Sequence, residues 1–145
     1  MNPKIMLRIA ALIVVFFAFG HSIGHFTRKA STDSQAIAVF KAMEGYKFPI
    51  GSQFRSYDEF YEGMSLNLII TLLTMTAMLW ILSGVAVQQP GLCLKLLWPL
   101  LLCLLAFSAT GWRFFFLVPA TTCVVAAFFI IGTMRRLKKE VSGPA

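Results

Sequence analysis

The sequence predicts an all-α fold: a four-helix transmembrane bundle, with a short amphipathic interfacial helix between spans one and two. Three observations carry that prediction. Apolar residues make up 58% of the chain and charged residues 13%, at a mean hydropathy of +0.76, whereas a globular domain carries about one quarter charged residues. The apolar residues fall into four runs free of formal charge, namely the stretch between Arg8 and Arg28, Gly63 to Val87, Leu96 to Trp112 and Phe114 to Met134. Each is near the roughly 20 residues that cross about 30 Å of hydrocarbon at about 1.5 Å per residue. Polar, turn-forming residues separate the runs. Disorder is excluded by the same composition. Cys93, Cys103 and Cys123, odd in number and all inside apolar runs, exclude a disulfide framework and read as small apolar residues.

The whole chain, 1–145, reads as one integral membrane domain. The first span covers about 5–26. Lys4 and Arg8 before an apolar run, with Ala18-Phe19-Gly20 as a small-residue site, also fit a signal peptide whose removal would leave His21 at the amino terminus; a retained helix is the expectation. Thr32 and Gln35 have capping-box spacing, and Ala36, Val39, Phe40 and Met43 then recur at helical period until Gly45, which predicts the interfacial helix at about 33–44. Tyr46, Phe48, Pro49, Ile50, Gly51 and Phe54 form an aromatic, turn-rich stretch suited to the headgroup level. Ser56 and Glu59 form a second capping box that starts the second span, about 57–87. Gln88-Gln89-Pro90-Gly91 is a polar turn, and the third span, about 91–110, begins with Lys95 able to reach back to the headgroups. Ser108 to Arg113, with Gly111, makes the next turn before a fourth span at about 113–136. Pro99 and Pro119 are expected to kink spans three and four. Short connections make spans two, three and four antiparallel neighbours.

Arg135, Arg136, Lys138 and Lys139 follow the last span against a single acid, Glu140, while its other end offers only Arg113. By the positive-inside rule that tail is cytoplasmic, as are Lys4 and Arg8, and Thr27 to Glu62 lies outside. The net charge of +7 then reads as topology and anionic-lipid contact, with the lipid bilayer as partner and no nucleic acid. Trp80 and Trp98 are expected toward the inner interface and Trp112 at the outer one.

The candidate site is Gly20-His21-Ser22-Ile23-Gly24-His25. His21 and His25 are one turn apart, on the same face as Arg28, so both imidazoles can reach one point. That is metal-ligand spacing without the glutamate of HExxH. A site for a divalent transition metal would need a further ligand, and Glu62, at similar depth on span two, is the best candidate. A haem clamped between the two rings is excluded, because ligands one turn apart cannot take opposite axial positions. In the alternative, structural reading the imidazoles hydrogen-bond to Ser65, Asn67, Tyr61 or backbone carbonyls and hold helices together. Asp58, Ser65 and Asn67 form an accessory polar cluster, with helix-dipole complementarity the simpler reading of Asp58 and Glu59. Gly20 and Gly24 make a GxxxG step expected to let another helix of the chain approach. Thr71, Thr74, Thr76, Thr121 and Thr122 can satisfy themselves against their own helix carbonyls.

The segments GHSIGHFT (Gly20 to Thr27), Lys47-Phe48-Pro49, Arg55-Ser56 and DEFYEGMS (Asp58 to Ser65) resemble a group of small, functionally uncharacterised four-span bacterial membrane proteins. The resemblance spans nearly the whole chain; it implies the bacterial inner (cytoplasmic) membrane and carries over no activity and no functional residue. Three functions remain open. The first is a non-enzymatic membrane protein whose outer polar face binds a partner protein, lipid or small amphiphile, alone or as a homo-oligomer. The second is a membrane enzyme or metal-binding protein using His21, His25 and Glu62. The third is a small transporter or transporter subunit.

Overall fold

The computed structural model describes residues Met1–Ser142. Five helices and two short strands follow in the order α1 (Pro3–Thr27), α2 (Ser34–Gly45), β1 (Lys47–Ile50), β2 (Gln53–Ser56), α3 (Tyr57–Gln88), α4 (Pro90–Phe114) and α5 (Leu117–Ser142). α1, α3, α4 and α5 are each long and apolar enough to cross a membrane, and the short α2 stands between the first two of them. The chain is a multi-pass membrane protein. It divides into two compact units, one formed by Met1–Phe17 with the chain from Leu72 onward, the other by Ala18–Thr71.

In the first unit, buried side chains recur at alternating three- and four-residue spacing on α3, α4 and α5, and share one face of α1. They are Leu7, Ala10, Ala11 and Val14 on α1, Leu72, Met75, Leu79, Leu82 and Ala86 on α3, Cys93, Leu97, Leu100 and Leu104 on α4, and Cys123, Ala127, Ile130, Met134 and Leu137 on α5. That is the seam pattern of helices packed with knobs in holes. Large apolar residues also cover the outside, among them Leu12, Phe16, Leu102 and Phe128. A helix apolar on all sides is what lipid demands, since the hydrocarbon surrounds the bundle as water would a soluble one. Inside, the driving force is packing rather than transfer, and small residues set the closest approach. Gly111 on α4 lies so near α5 that a Cβ there would stand 3.3 Å from the backbone nitrogen of Ala120. Ser108 Oγ donates to the Ala120 carbonyl at 3.2 Å. Arg8 lays its guanidinium over Trp80, 4.8 Å from the ring centroid.

Two expectations are corrected here. The break between the last two spans falls at Phe115 and Phe116, not at Ser108 to Arg113. Gly111 remains helical and packs against Ala120, because its missing side chain serves closeness rather than a turn. Pro119 is the third residue of α5, in the first turn, where a missing N–H loses no helical bond and imposes no kink; Pro99 does lie inside α4. Thr71, Thr76, Thr121 and Thr122 donate to the carbonyls of Asn67, Leu72, Leu117 and Val118.

The second unit holds the end of α1, α2, the strands and the start of α3. α2 is capped by Asp33, whose Oδ1 accepts from the N–H groups of Gln35 and Ala36 at 2.7 and 3.0 Å. The cap is therefore one residue later than the expected Thr32, since a carboxylate one position on reaches two free N–H groups. The aromatic stretch is a β-hairpin rather than an irregular turn. Lys47 pairs with Ser56 and Ile50 with Gln53, and Gly51 (φ +58°) takes the first central position of the two-residue turn, the place where a tight hairpin needs a glycine. The capping box that starts α3 is closed in both directions. The backbone N–H of Ser56 donates to Glu59 Oε2 at 2.7 Å, and that of Glu59 donates to Ser56 Oγ at 3.2 Å. Ser56→Ala is expected to lower stability by about 1 kcal/mol and to fray the first turn of α3. Faster amide hydrogen exchange confined to the residues around 57–60 is the check.

Candidate functional site

α1 and α3 each present a polar stripe in the second unit. On α1 and the turn that follows it the stripe is His21, His25 and Arg28, and on α3 it is Asp58, Glu62 and Ser65, both with the four- and three-residue steps that keep side chains on one face. The stripes meet in antiparallel register, Arg28 against Asp58 and the two histidines against Ser65.

Ser65 Oγ stands 3.0 Å from His25 Nδ1 and 3.0 Å from His21 Nε2, and His21 Nε2 is also 3.3 Å from the Ser65 carbonyl oxygen. His25 and Ser65 are buried, and His21 is half-buried. A hydroxyl has one proton and two acceptor sites, so Oγ can donate to one ring while accepting an N–H from the other. The edge of Phe26 closes on the His25 ring at a centroid separation of 4.9 Å.

One turn toward the end of α1, Arg28 Nη1 donates to Asp58 Oδ1 at 2.5 Å and Lys29 Nζ to Asp58 Oδ2 at 2.7 Å. Lys29 also bonds Glu44 at the end of α2, and Arg28 Nη2 is 3.9 Å from Glu62 Oε2. The Arg28 guanidinium stacks over Tyr61 at 5.2 Å. Asp58 is only 5% exposed, and each of its oxygens is taken by a different cation. The result is a charged chain, Glu44–Lys29–Asp58–Arg28–Glu62, that ties α2, the connection after α1 and the start of α3 into one unit. Among the described residues no buried side-chain polar atom is left without a partner.

Both cations are held protonated beyond their ordinary range, Arg28 chiefly by its hydrogen bond to Asp58, Lys29 by its bonds to Asp58 and then Glu44. A raised folded-state pKa contributes stability that is complete below the unfolded value and is lost as pH climbs through the folded one. Titration above the ordinary lysine value of about 10.4 is therefore expected to loosen the 28–45 segment. Lys29→Arg keeps the charge and should move that loss to higher pH. Pulsed proteinase K cleavage across the alkaline range, comparing the two proteins, reads the difference.

The predicted site residues are thus only partly brought together. His21, His25 and Ser65 meet, and Asp58 joins the same stripe. Glu62 does not reach the imidazoles: its side chain is 52% exposed and leans toward Arg28. Among the described residues no group of three or more His, Cys, Asp or Glu side chains is arranged to hold a metal ion, so the His21–His25–Glu62 set is not assembled as ligands. Asn67 is exposed, because two helical residues beyond Ser65 is about 200° around the axis. Gly20 and Gly24 are exposed, and a Cβ on either would meet nothing within 4 Å. The close approach expected there is not made among the described residues; the histidine face, not the glycine face, is turned to α3. Sequence reasoning missed Lys29 and Glu44, and it read Asp58 as helix-dipole complementarity when its main role is to accept two cations. The available signal was Arg28 on the histidine face and Asp58 one turn before Glu62. Compared with protein-family models, with curated proteins and with solved structures, the chain matches none.

Proposed function

We propose that this is a non-enzymatic protein of the bacterial inner membrane, with both termini cytoplasmic, whose 28–62 segment is an outward cap that binds a partner protein, lipid or small amphiphile. One observation carries the reading. The polar groups of the candidate site are consumed by one another, each carboxylate on a cation and both imidazoles on one hydroxyl. A cluster of that kind fastens the end of α2 to the ends of two spanning helices, and it leaves the exposed apolar residues of the cap, such as Ile37 and Val39, as the surface that meets something else. The likeness of GHSIGHFT and DEFYEGMS to small bacterial four-span proteins supports the location, and the basic residues Arg135, Arg136, Lys138 and Lys139 in the last turns of α5 support the orientation.

The test is a photo-crosslinking residue at Val39, with Leu102 on the lipid-facing side of α4 as control. A discrete adduct at Val39 that Leu102 does not give is the expected result; identical adducts at the two positions would refute a binding cap. Ser52→Cys should react with an impermeant maleimide applied outside the cell. Reaction only after permeabilisation reverses the orientation.

A second reading has one observation in its favour. A hydroxyl shared by two imidazoles is also a short proton path, which supports acid–base chemistry by His21 and His25. Ser65→Ala separates the two. A fastener predicts looser α1–α3 packing with ligand adducts at Val39 weakened but present, whereas a catalytic group predicts unchanged packing and loss of turnover.

A further inference from the structure

The hairpin presents a surface that the cap's own packing does not use. Strand pairing puts Phe48 and Arg55 on one face and Lys47, Pro49, Phe54 and Ser56 on the other. The Phe48 face is occupied: its ring lies 4.8 Å from Tyr57 and 5.7 Å from Phe60, with Tyr46 stacked on Tyr57 at 5.8 Å. On the opposite face Ser56 turns into the α3 cap, and Pro49 and Phe54 are open, Phe54 at 65% exposure. A two-stranded hairpin with one bare apolar face is marginal in water.

We propose that this Pro49–Phe54 face lies against the acyl–headgroup boundary of the membrane, with the Lys47 ammonium at the lipid phosphates. The inference rests on the cap reading above and names phospholipid as what this part of it touches.

Three observations support lipid over a protein. The first is height. Ser56 ends β2 and caps α3 directly, so no linker lets the hairpin leave the membrane surface. α3 runs Tyr57–Gln88, about 48 Å at about 1.5 Å per residue, and exceeds the roughly 30 Å hydrocarbon core by little more than the two headgroup layers. The start of α3 and the hairpin base therefore stand at headgroup depth. The second is continuity. The same unit also exposes Phe26 and Met64 on its spanning helices, so Phe54 adds to the exposed apolar side chains of a unit whose helices already face lipid, in the aromatic composition of an interfacial belt. The third is charge. Asp58, Glu44, Glu59 and Glu62 are all ion-paired within the unit, while Lys47 makes no ion pair among the described residues, which suits a phosphate-rich layer.

The experiment uses the full chain in proteoliposomes, with Trp80, Trp98 and Trp112 changed to Phe and a single reporter introduced as Phe54→Trp or, on the other face, as Gln53→Trp. Lipids brominated along the acyl chain should quench the reporter at 54 several-fold more than the one at 53, and aqueous iodide should show the reverse order. A nitroxide at Phe54→Cys, in a chain whose native cysteines are alanine, should collide with oxygen more than with a water-soluble nickel complex; it guards against a fault peculiar to the tryptophan variants. Equal bromolipid quenching at 53 and 54, or preferential nickel collision at 54, overturns the inference. A photo-crosslinker at Phe54 that yields a protein adduct and no lipid adduct also overturns it while leaving the binding cap standing, and loss of the Val39 adduct alone would sink the cap and not the lipid contact.

Discussion

Asp58→Ala should destabilise the chain by about 3 kcal/mol, the lower end of the range for breaking a buried ion pair, because Lys29 keeps access to water. Most of that cost is not the lost attraction. It is the guanidinium of Arg28, whose side chain is 11% exposed, left facing no carboxylate but the distant, solvent-exposed Glu62. The loss should be local, since every partner of Asp58 lies in the Ala18–Thr71 unit. Proteolysis between Arg28 and Ser56 is expected to accelerate well before the bundle unfolds. The diagnostic comparison is Arg28→Ala with Asp58→Ala: the double variant should be more stable than Asp58→Ala alone, because it removes the stranded charge. A double variant no better than the single would show that Asp58 acts through Lys29 and α2 instead.

Gly111→Leu should cost about 1 to 3 kcal/mol by overpacking and should separate the α4–α5 hairpin near its turn. The obstacle is backbone, the Ala120 nitrogen at 3.3 Å and Cα at 3.4 Å from a Cβ at this position, and backbone in a helix cannot swing aside. Gly132 is the control. A Cβ there also collides, but with the terminal methyl of Met6, the mobile end of a flexible side chain. Gly132→Ala is therefore expected to be nearly neutral, and thermal unfolding in detergent should show the two glycines responding differently. Equal responses would mean that the helices adjust as easily as a methionine does.

Four spans, the interfacial helix and the Ser56–Glu59 cap were legible because each is local: a hydropathy run or a three-residue spacing needs no knowledge of the partner. The hairpin was not, because Phe48-Pro49-Ile50 and Phe54-Arg55 are too short for an alternating pattern to declare itself, and only pairing across Gly51 shows them as strands. Of the candidate site, the shared face of His21, His25 and Arg28 followed from helical period alone. Ser65 stood among several proposed partners and Glu62 was favoured as a metal ligand; Glu62 leans instead toward the permanent charge of Arg28, and that pairing is invisible until the arginine has been placed.

Composition and periodicity alone determined that this protein lives in lipid, how often its helices can cross it and which residues share a helix face, since transfer from water to hydrocarbon depends on a segment's own side chains. The tertiary structure alone decided which polar groups meet: Ser65 between two imidazoles, Asp58 between two cations, Gly111 against a backbone. The first two depend on distances between residues 29 to 44 positions apart in the chain, and such distances are set by how helices pack.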